Sequence, residues 1–474
     1  MTLHLFAFLT AAGIASAAPL PCEKLTSLNL PNVTITLAQA MAAGTVPAYC
    51  RVAATLKPSP DSDIKMEIWM PTSGWNGKLE ANGNGGWSGS INPTTLANGV
   101  QRGYAAAMSN LGHEGSSAAF ALGHPEKLTD FGYRAAHEMT VAAKAIIASH
   151  YGQAAKLSYW NGCSAGGRSA LMEAQRYPAD FDGIIAGAPG LNWTGRATQS
   201  VWVGQAAHKS EASYIPPAKY ALIHAAVLKA CDALDGVEDG VLEDPTRCHF
   251  DPKEIECKSR DDASCLSAEQ VETARAIYAD VPGMVPGFEP GSEPGWATMA
   301  GPKPFAIGND FFKYVVFQNP DWDFKTFRFD KDVTNKELNA MDSNLQAFRD
   351  HGGKLIQYHG WSDPQISPAS SPIYYKSVVS KMGSSSEVQK FYRLFMVPGM
   401  AHCGGGDGTS TFDMLSAMEQ WVENNKAPDQ IAAARRRDGK VDRTRPLCPI
   451  LRSPNIKARA TQMMRRTLFV ESRN

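Results

Sequence analysis

Lys156-Leu157-Ser158-Tyr159-Trp160-Asn161-Gly162-Cys163-Ser164-Ala165-Gly166-Gly167 is the stretch on which the reading of this chain turns. Lys156 to Trp160 has the residue types of a buried strand, and Gly167 to Tyr177 has those of a helix. Between them Gly162-Cys163-Ser164-Ala165-Gly166 fits G-x-S-x-G, a strained strand-to-helix turn that exposes a serine while glycines let neighbouring chains pass closely. The competing reading is a serine that only caps the following helix.

To either side, Lys65 to Met70 reads as a strand, Tyr133 to Tyr151 as a helix stopped by Gly152, and Asp182 to Ala188 as a buried strand ending at Pro189-Gly190. The alternation then lapses. Cysteines, acidic residues and prolines accumulate up to about Thr334, and Val281 to Phe305 alone holds six prolines and five glycines, which excludes regular structure for much of it. A helix at Leu338 to His351, strands at Lys354 to Tyr358 and Tyr392 to Val397, and a helix at Thr411 to Asn424 resume the pattern. The spacing predicts an α/β fold: an α/β-hydrolase core, a mainly parallel sheet flanked by helices, over residues 18–190 and 346–450. A large inserted lid is expected over 191–345 and an irregular tail over 451–474. The lid's aromatic-rich ends, including Trp193, Trp202, Phe311, Phe312 and Tyr314, are an unspecific lining to which no substrate contact is assigned.

A serine hydroxyl needs a base to take its proton, and the base needs a carboxylate to orient it. His402 follows a strand in the glycine-rich Pro398-Gly399-Met400-Ala401-His402-Cys403-Gly404-Gly405-Gly406, whereas His208, His224 and His249 sit in the expected lid and read as structural. Asp363, in His359-Gly360-Trp361-Ser362-Asp363-Pro364, completes the order Ser, Asp, His of α/β-hydrolases. Asp-Pro also starts turns, and that reading competes. His359 precedes the acid and reads as a packing or hydrogen-bonding residue. For an oxyanion hole, one N–H is expected from Ala165 and another from Gly85 or Gly86 in Asn82-Gly83-Asn84-Gly85-Gly86-Trp87. Cys163 and Cys403 flank the expected nucleophile and base, so they fall within disulfide range if Ser164 and His402 meet; the alternative is two small buried thiols.

The remaining composition narrows the setting. In 474 residues, 46 basic side chains face 47 acidic ones, so no bulk charge points to nucleic acid or an anionic membrane. Leu3 to Ile14 is apolar and leads into Ala15-Ser16-Ala17, a cleavage pattern, so residues 1–17 read as a secretory signal too short to span a bilayer. Nine cysteines, all beyond that point, fit an oxidising compartment, and their odd count leaves one over. A soluble, secreted protein, extracellular or periplasmic, is expected. Asn32-Val33-Thr34 and Asn192-Trp193-Thr194 are glycosylation acceptors only in a host that glycosylates.

Taken together, Gly83-Asn84-Gly85-Gly86, Gly162 to Gly167, Asp232 to Asp239, His402-Cys403 and Trp421-Val422-Glu423 resemble the tannase and feruloyl esterase family, which also contains the hydrolase of mono(2-hydroxyethyl) terephthalate. The resemblance covers nearly the whole mature chain. It implies a Ser-His-Asp acyl-enzyme mechanism on an aromatic ester, from a small molecule or plant polymer: feruloyl, other hydroxycinnamoyl or galloyl esters, or a phthalate-type half ester. It implies the Cys163–Cys403 bridge, and further bridges Cys22–Cys50, Cys231–Cys248 and Cys257–Cys265, leaving Cys448 alone. It also implies a structural Ca2+ in the lid, held by Asp232, Asp235 and Asp239 side chains and the Val237 and Val241 carbonyls; three carboxylates on a glycine-kinked loop suit a hard cation, although a solvated acidic loop reads the same way. Relatives carry one more cysteine in a C-terminal Gly-Asp-x-Asn-Asp-Ala-x-Asn-Phe-x-Cys segment; Arg459 to Val470 departs from it and is read as a frameshifted version, which resequencing the gene tests. A peptidase or amidase using the same triad is kept as an alternative. So is a binding protein on a dead hydrolase scaffold, against which the presence of all three triad residue types counts.

Overall fold

Along Val52, Ala54 and Leu56, and again along Ile64, Met66 and Ile68, buried residues alternate with partly exposed ones, whereas Ala105–Ser109 and Gly183–Gly187 are buried at every position. That contrast separates an antiparallel flank with one solvated face from parallel strands covered on both sides. The computed structural model describes residues 18–259, 262–329 and 335–450. The expected signal over 1–17 and the expected tail over 451–474, including its frameshift reading, lie outside the described residues.

Nine strands form one sheet: β1 (Val33–Met41), β2 (Tyr49–Leu56), β3 (Ile64–Pro71), β4 (Lys78–Asn82), β5 (Ala105–Ser109), β6 (Leu157–Cys163), β7 (Gly183–Gly187), β8 (Lys354–Gly360) and β9 (Tyr392–Val397). Their order is β1-β2-β3-β5-β4-β6-β7-β8-β9, antiparallel from β1 to β5 and parallel from β5 through β9. This is the α/β-hydrolase arrangement, mainly parallel with flanking helices. One face packs against the helices Ala135–Tyr151 and Ala165–Arg176 through Met139, Ile146, Ile147, Leu171 and Met172. The other face packs Tyr159, Ile185, Ile356 and Phe395 against Met414, Met418 and Trp421 of the helix Met414–Asn424. A separate hairpin, β10 (Ile431–Arg437) with β11 (Lys440–Leu447), was not anticipated; its six basic residues hid the strand pattern.

Between β7 and β8 the chain leaves the sheet. The helices Trp193–Ala207, Tyr220–Cys231 and Ala268–Tyr278 build a cluster of their own around Val203, Ile223, Val271, Ile277 and Trp296. The helix expected at Leu338 to His351 is shorter, Gln346–Asp350. Asn335, Asp342 and Asn344 turn their side chains back onto the backbone N–H groups of Leu338, Asn344 and Gln346, which gives this stretch an alternative to helical bonds. Among the described residues no helix is long and apolar enough to cross a membrane.

Candidate active site

The turn from β6 into the helix Ala165–Arg176 places Ser164 at φ 64°, ψ −120°, a conformation that costs a non-glycine residue about 1–3 kcal/mol and persists only where its surroundings hold it. Here Ser164 N–H donates to Gly187 O at 2.9 Å, and its carbonyl accepts from Arg168 and Gly190 N–H at 3.0 and 3.1 Å. The loop after β4 closes against this turn so tightly that a Cβ on Gly83 would lie 2.4 Å from Gly166 Cα. The N–H groups of Ala165, Gly85 and Gly86 donate to no protein acceptor among the described residues. They are therefore free to face a ligand; a Cβ on Gly86 would lie 2.9 Å from Ile307 Cδ1.

After β8 the chain turns sharply, and Asp363 lies wholly buried beneath the turn. Its Oδ1 accepts from Gln365 and Ile366 N–H at 2.8 and 3.0 Å, while its Oδ2 faces His402 Nδ1 at 2.7 Å. Asp363 thus closes the turn with one oxygen and meets His402 with the other. His359, read from sequence as a local hydrogen-bonding residue, also brings its Nε2 to Oδ2, at 3.1 Å. Burial pushes the Asp363 carboxyl up, but the His402 charge and the hydrogen bonds from both imidazoles outweigh it and hold the group well below the usual carboxylate range.

His402 sits on the loop after β9, where Gly399, Gly405 and Gly406 take positive φ and Met400 bridges Gly406. Cys403 is bonded to Cys163 with 6.0 Å between Cα atoms, so the residue after the histidine is covalently tied to the residue before the serine. The Ser164 hydroxyl makes no hydrogen bond among the described residues, so the last leg, from Ser164 to His402, is open in this conformation. Catalytic hydrogen bonds are often long before substrate arrives. Cys22–Cys50, Cys231–Cys248 and Cys257–Cys265 also form, and Cys448 is free and exposed.

In the acidic loop, the Asp232 carboxylate accepts from Gly240 and Val241 N–H, and Asp235 accepts from Val237 N–H. Asp239 Oδ2 pairs with Arg445 at 2.6 Å, while its buried Oδ1 has no partner among the described residues. Burial, with the Asp239 charge adding to it, pushes the Asp235 carboxyl up. Among the described residues no three Asp, Glu, His or Cys side chains converge as a metal cage. Of the aromatics singled out from sequence, Trp193, Phe311 and Phe312 are core, and Trp202 and Tyr314 are half-buried. Arg196, a buried cation unnoticed in the sequence, packs over Trp193 and Phe305 and donates Nε–H to Gln365 O beside Asp363. Nothing in its local sequence marks it.

Fold and site together define an α/β-hydrolase with a serine at its strand-to-helix elbow. The sequence model for tannase and feruloyl esterase matches residues 50–463. An uncharacterised esterase of Xanthomonas campestris pv. campestris is 37% identical over 93% of this chain and 89% of its own. A probable feruloyl esterase B of Aspergillus clavatus is 35% identical over 89% and 86%. Among solved structures, feruloyl esterase B from Aspergillus oryzae superposes with a TM-score of 0.84 at 30% identity, covering 90% of this chain and 96% of its own. The chain belongs to the tannase and feruloyl esterase family and is a carboxylic-ester hydrolase.

Proposed function

We propose that this protein hydrolyses esters of aromatic acids, hydroxycinnamoyl esters foremost, by a serine acyl-enzyme route. The observation that carries the reading is the 2.7 Å contact of His402 with Asp363 on a loop bonded through Cys403 to the Ser164 elbow. Asp363 keeps the His402 proton on Nδ1, which leaves the Nε2 lone pair for the serine proton. Ser164 Oγ attacks the ester carbonyl, and the N–H groups of Ala165 and of Gly85 or Gly86 receive the oxyanion. His402 passes the proton to the leaving alcohol; water, activated by the same imidazole, then frees the acid. Aromatic substrates are favoured by the relatives named feruloyl esterase B. Residues 191–345 act in this reading as a lid over the site. Residues 1–17 act as an export signal, in keeping with four disulfides, and N-terminal sequencing of secreted protein should start at Ala18.

The test is a panel of methyl ferulate, methyl gallate and a terephthalate half ester. Ferulate should turn over fastest, and Ser164→Ala should lose roughly 10⁴-fold or more in kcat. Fastest turnover of the half ester, or cleavage of anilides as readily as esters, would move the substrate assignment; an active Ser164→Ala would end the serine mechanism.

We propose also that the acidic loop holds Ca2+. The oxygen donors suit it, and the unpartnered Asp239 Oδ1 and the desolvated Asp235 carboxyl are groups a hard cation would satisfy. Asp232, Asp235 and Asp239 would ligate with side chains and Val237 and Val241 with carbonyls, Asp239 sharing its charge with Arg445. When bound, the ion cross-links the loop and does no chemistry. Chelation should lower the melting temperature and added calcium restore it; an unchanged melt with no calcium by metal analysis refutes the site.

A further inference from the structure

His359 has no part in the proton path just described, yet it is wholly buried against the catalytic carboxylate. Behind it runs a line of equally buried groups. Tyr392 Oη bonds Gln357 Oε1, Gln357 Nε2 lies 2.7 Å from Ser371 Oγ, and Ser371 Oγ lies 2.7 Å from His359 Nδ1. The direction of this line follows from counting protons. The Tyr392 hydroxyl has Gln357 as its hydrogen-bond partner, so its proton goes to Oε1 and turns the amide N–H toward Ser371. Ser371 Oγ, receiving that N–H, sends its own proton to His359 Nδ1. His359 thereby carries a proton on Nε2, the nitrogen that faces Asp363 Oδ2.

Asp363 then accepts four hydrogen bonds: two backbone N–H groups on Oδ1 and two imidazole N–H groups on Oδ2. A carboxylate so occupied cannot rotate, and it has no free lone pair in position to draw the proton off His402 Nδ1. We propose that His359 is a positioning residue for the ester hydrolysis, holding the Asp363 carboxylate ionised and aimed at His402, with its tautomer imposed by Tyr392, Gln357 and Ser371. The proposal rests on the triad reading above. The other charged groups around the cluster are His402 and Arg196, which is fixed by its bond to Gln365 O.

The experiment measures kcat, KM and the pH profile of kcat/KM on methyl ferulate for the full-length protein and for His359→Leu, His359→Gln, Ser371→Ala and Ser164→Ala, with a thermal melt of each. His359→Leu removes the N–H donor and should lower kcat roughly 10- to 100-fold, the range met when the outer partner of a metal-ligating side chain is lost. KM should stay unchanged. The acid limb of the profile should move to higher pH, because a carboxylate with one donor fewer stabilises the His402 imidazolium more. His359→Gln, which can still present an N–H near the Nε2 position, should recover much of kcat, and Ser371→Ala should fall between. If His359→Leu keeps wild-type kcat and profile, or if His359→Gln is no better than His359→Leu at equal melting temperature, the residue only fills space and the proposal is overturned. If His359→Leu does not fold, Ser371→Ala and His359→Gln decide by the same readouts. Failure of the triad reading itself is seen separately, as an active Ser164→Ala.

Discussion

At the scale of single residues, this site is built from positions that satisfy two demands at once. Asp363 closes a turn with one oxygen and orients imidazoles with the other. Asn192 caps the helix Trp193–Ala207 and also donates to Met284 O, so its place in a glycosylation sequon is secondary to a structural one. Gly83 and Gly166 have no side chain because none fits: the backbones touch. Gly83→Ala would press a methyl group into backbone that cannot yield, and a loss of about 1–3 kcal/mol is expected. Chemical denaturation of that variant, read against wild type, checks it; an unchanged midpoint would show that the loop and the elbow can part. The glycines, Ser164, Asp363 and His402 stand out in sequence because each sits in a short pattern dictated by local backbone geometry. Arg196 does not, since its partners come from remote loops.

At the scale of elements, the loop carrying His402 is fastened at three points. Cys403 ties it to the elbow, Arg435 of β10 donates to Asp407 O, and Asp407 faces His224 Nε2 at 3.5 Å. His224, on the helix Tyr220–Cys231, also meets the buried Glu293 at 2.7 Å, so the segment between β7 and β8 is clamped to the His402 loop by charge. Burial lowers the His224 pKa, but the hydrogen bonds it donates to the Asp407 and Glu293 carboxylates, with their charges, outweigh burial and raise it to about 9. Since the folded value lies above the unfolded one, the clamp contributes fully below about pH 6.5 and its contribution is lost as pH rises through about 9. Melting temperature should therefore fall across that window in wild type and fall less in His224→Gln; equal slopes would remove the clamp. Replacing both Cys163 and Cys403 with serine should cost about 2–4 kcal/mol of stability and lower kcat/KM, as the loop and elbow drift apart. Titration with denaturant and an ester assay on the double variant read both effects. The strands of the parallel core could be read from their apolar runs, whereas β10 and β11 could not, because arginines paired to Asp239, Glu243 and Asp442 stand where a buried pattern would be expected.

At the scale of the whole molecule, the segment between β7 and β8 is less separable than its composition suggests. It has a cluster of its own, yet Trp193, Val201, Phe311 and Phe312 belong to the core that covers the sheet, and Trp87 beside the elbow donates its indole N–H to Ile307 O at 2.9 Å. Deleting residues 191–345 should consequently give an insoluble chain rather than a smaller active hydrolase, and the soluble fraction on expression measures this. Local spacing was enough to read the strand-to-helix turn at Ser164, the order of strands and helices along the chain, the places of Asp363 and His402 after strand ends, and the cysteines beside Ser164 and His402. Those features depend on backbone sterics and on periodicities spanning a few residues. It took the packed sheet to bring two imidazoles to one carboxylate, to set a histidine of the inserted segment against the His402 loop, and to fold the segment's aromatics into the core. Each of these joins side chains brought together by the packing of a whole sheet and its layers, and such meetings leave no trace in the spacing of neighbours along the chain.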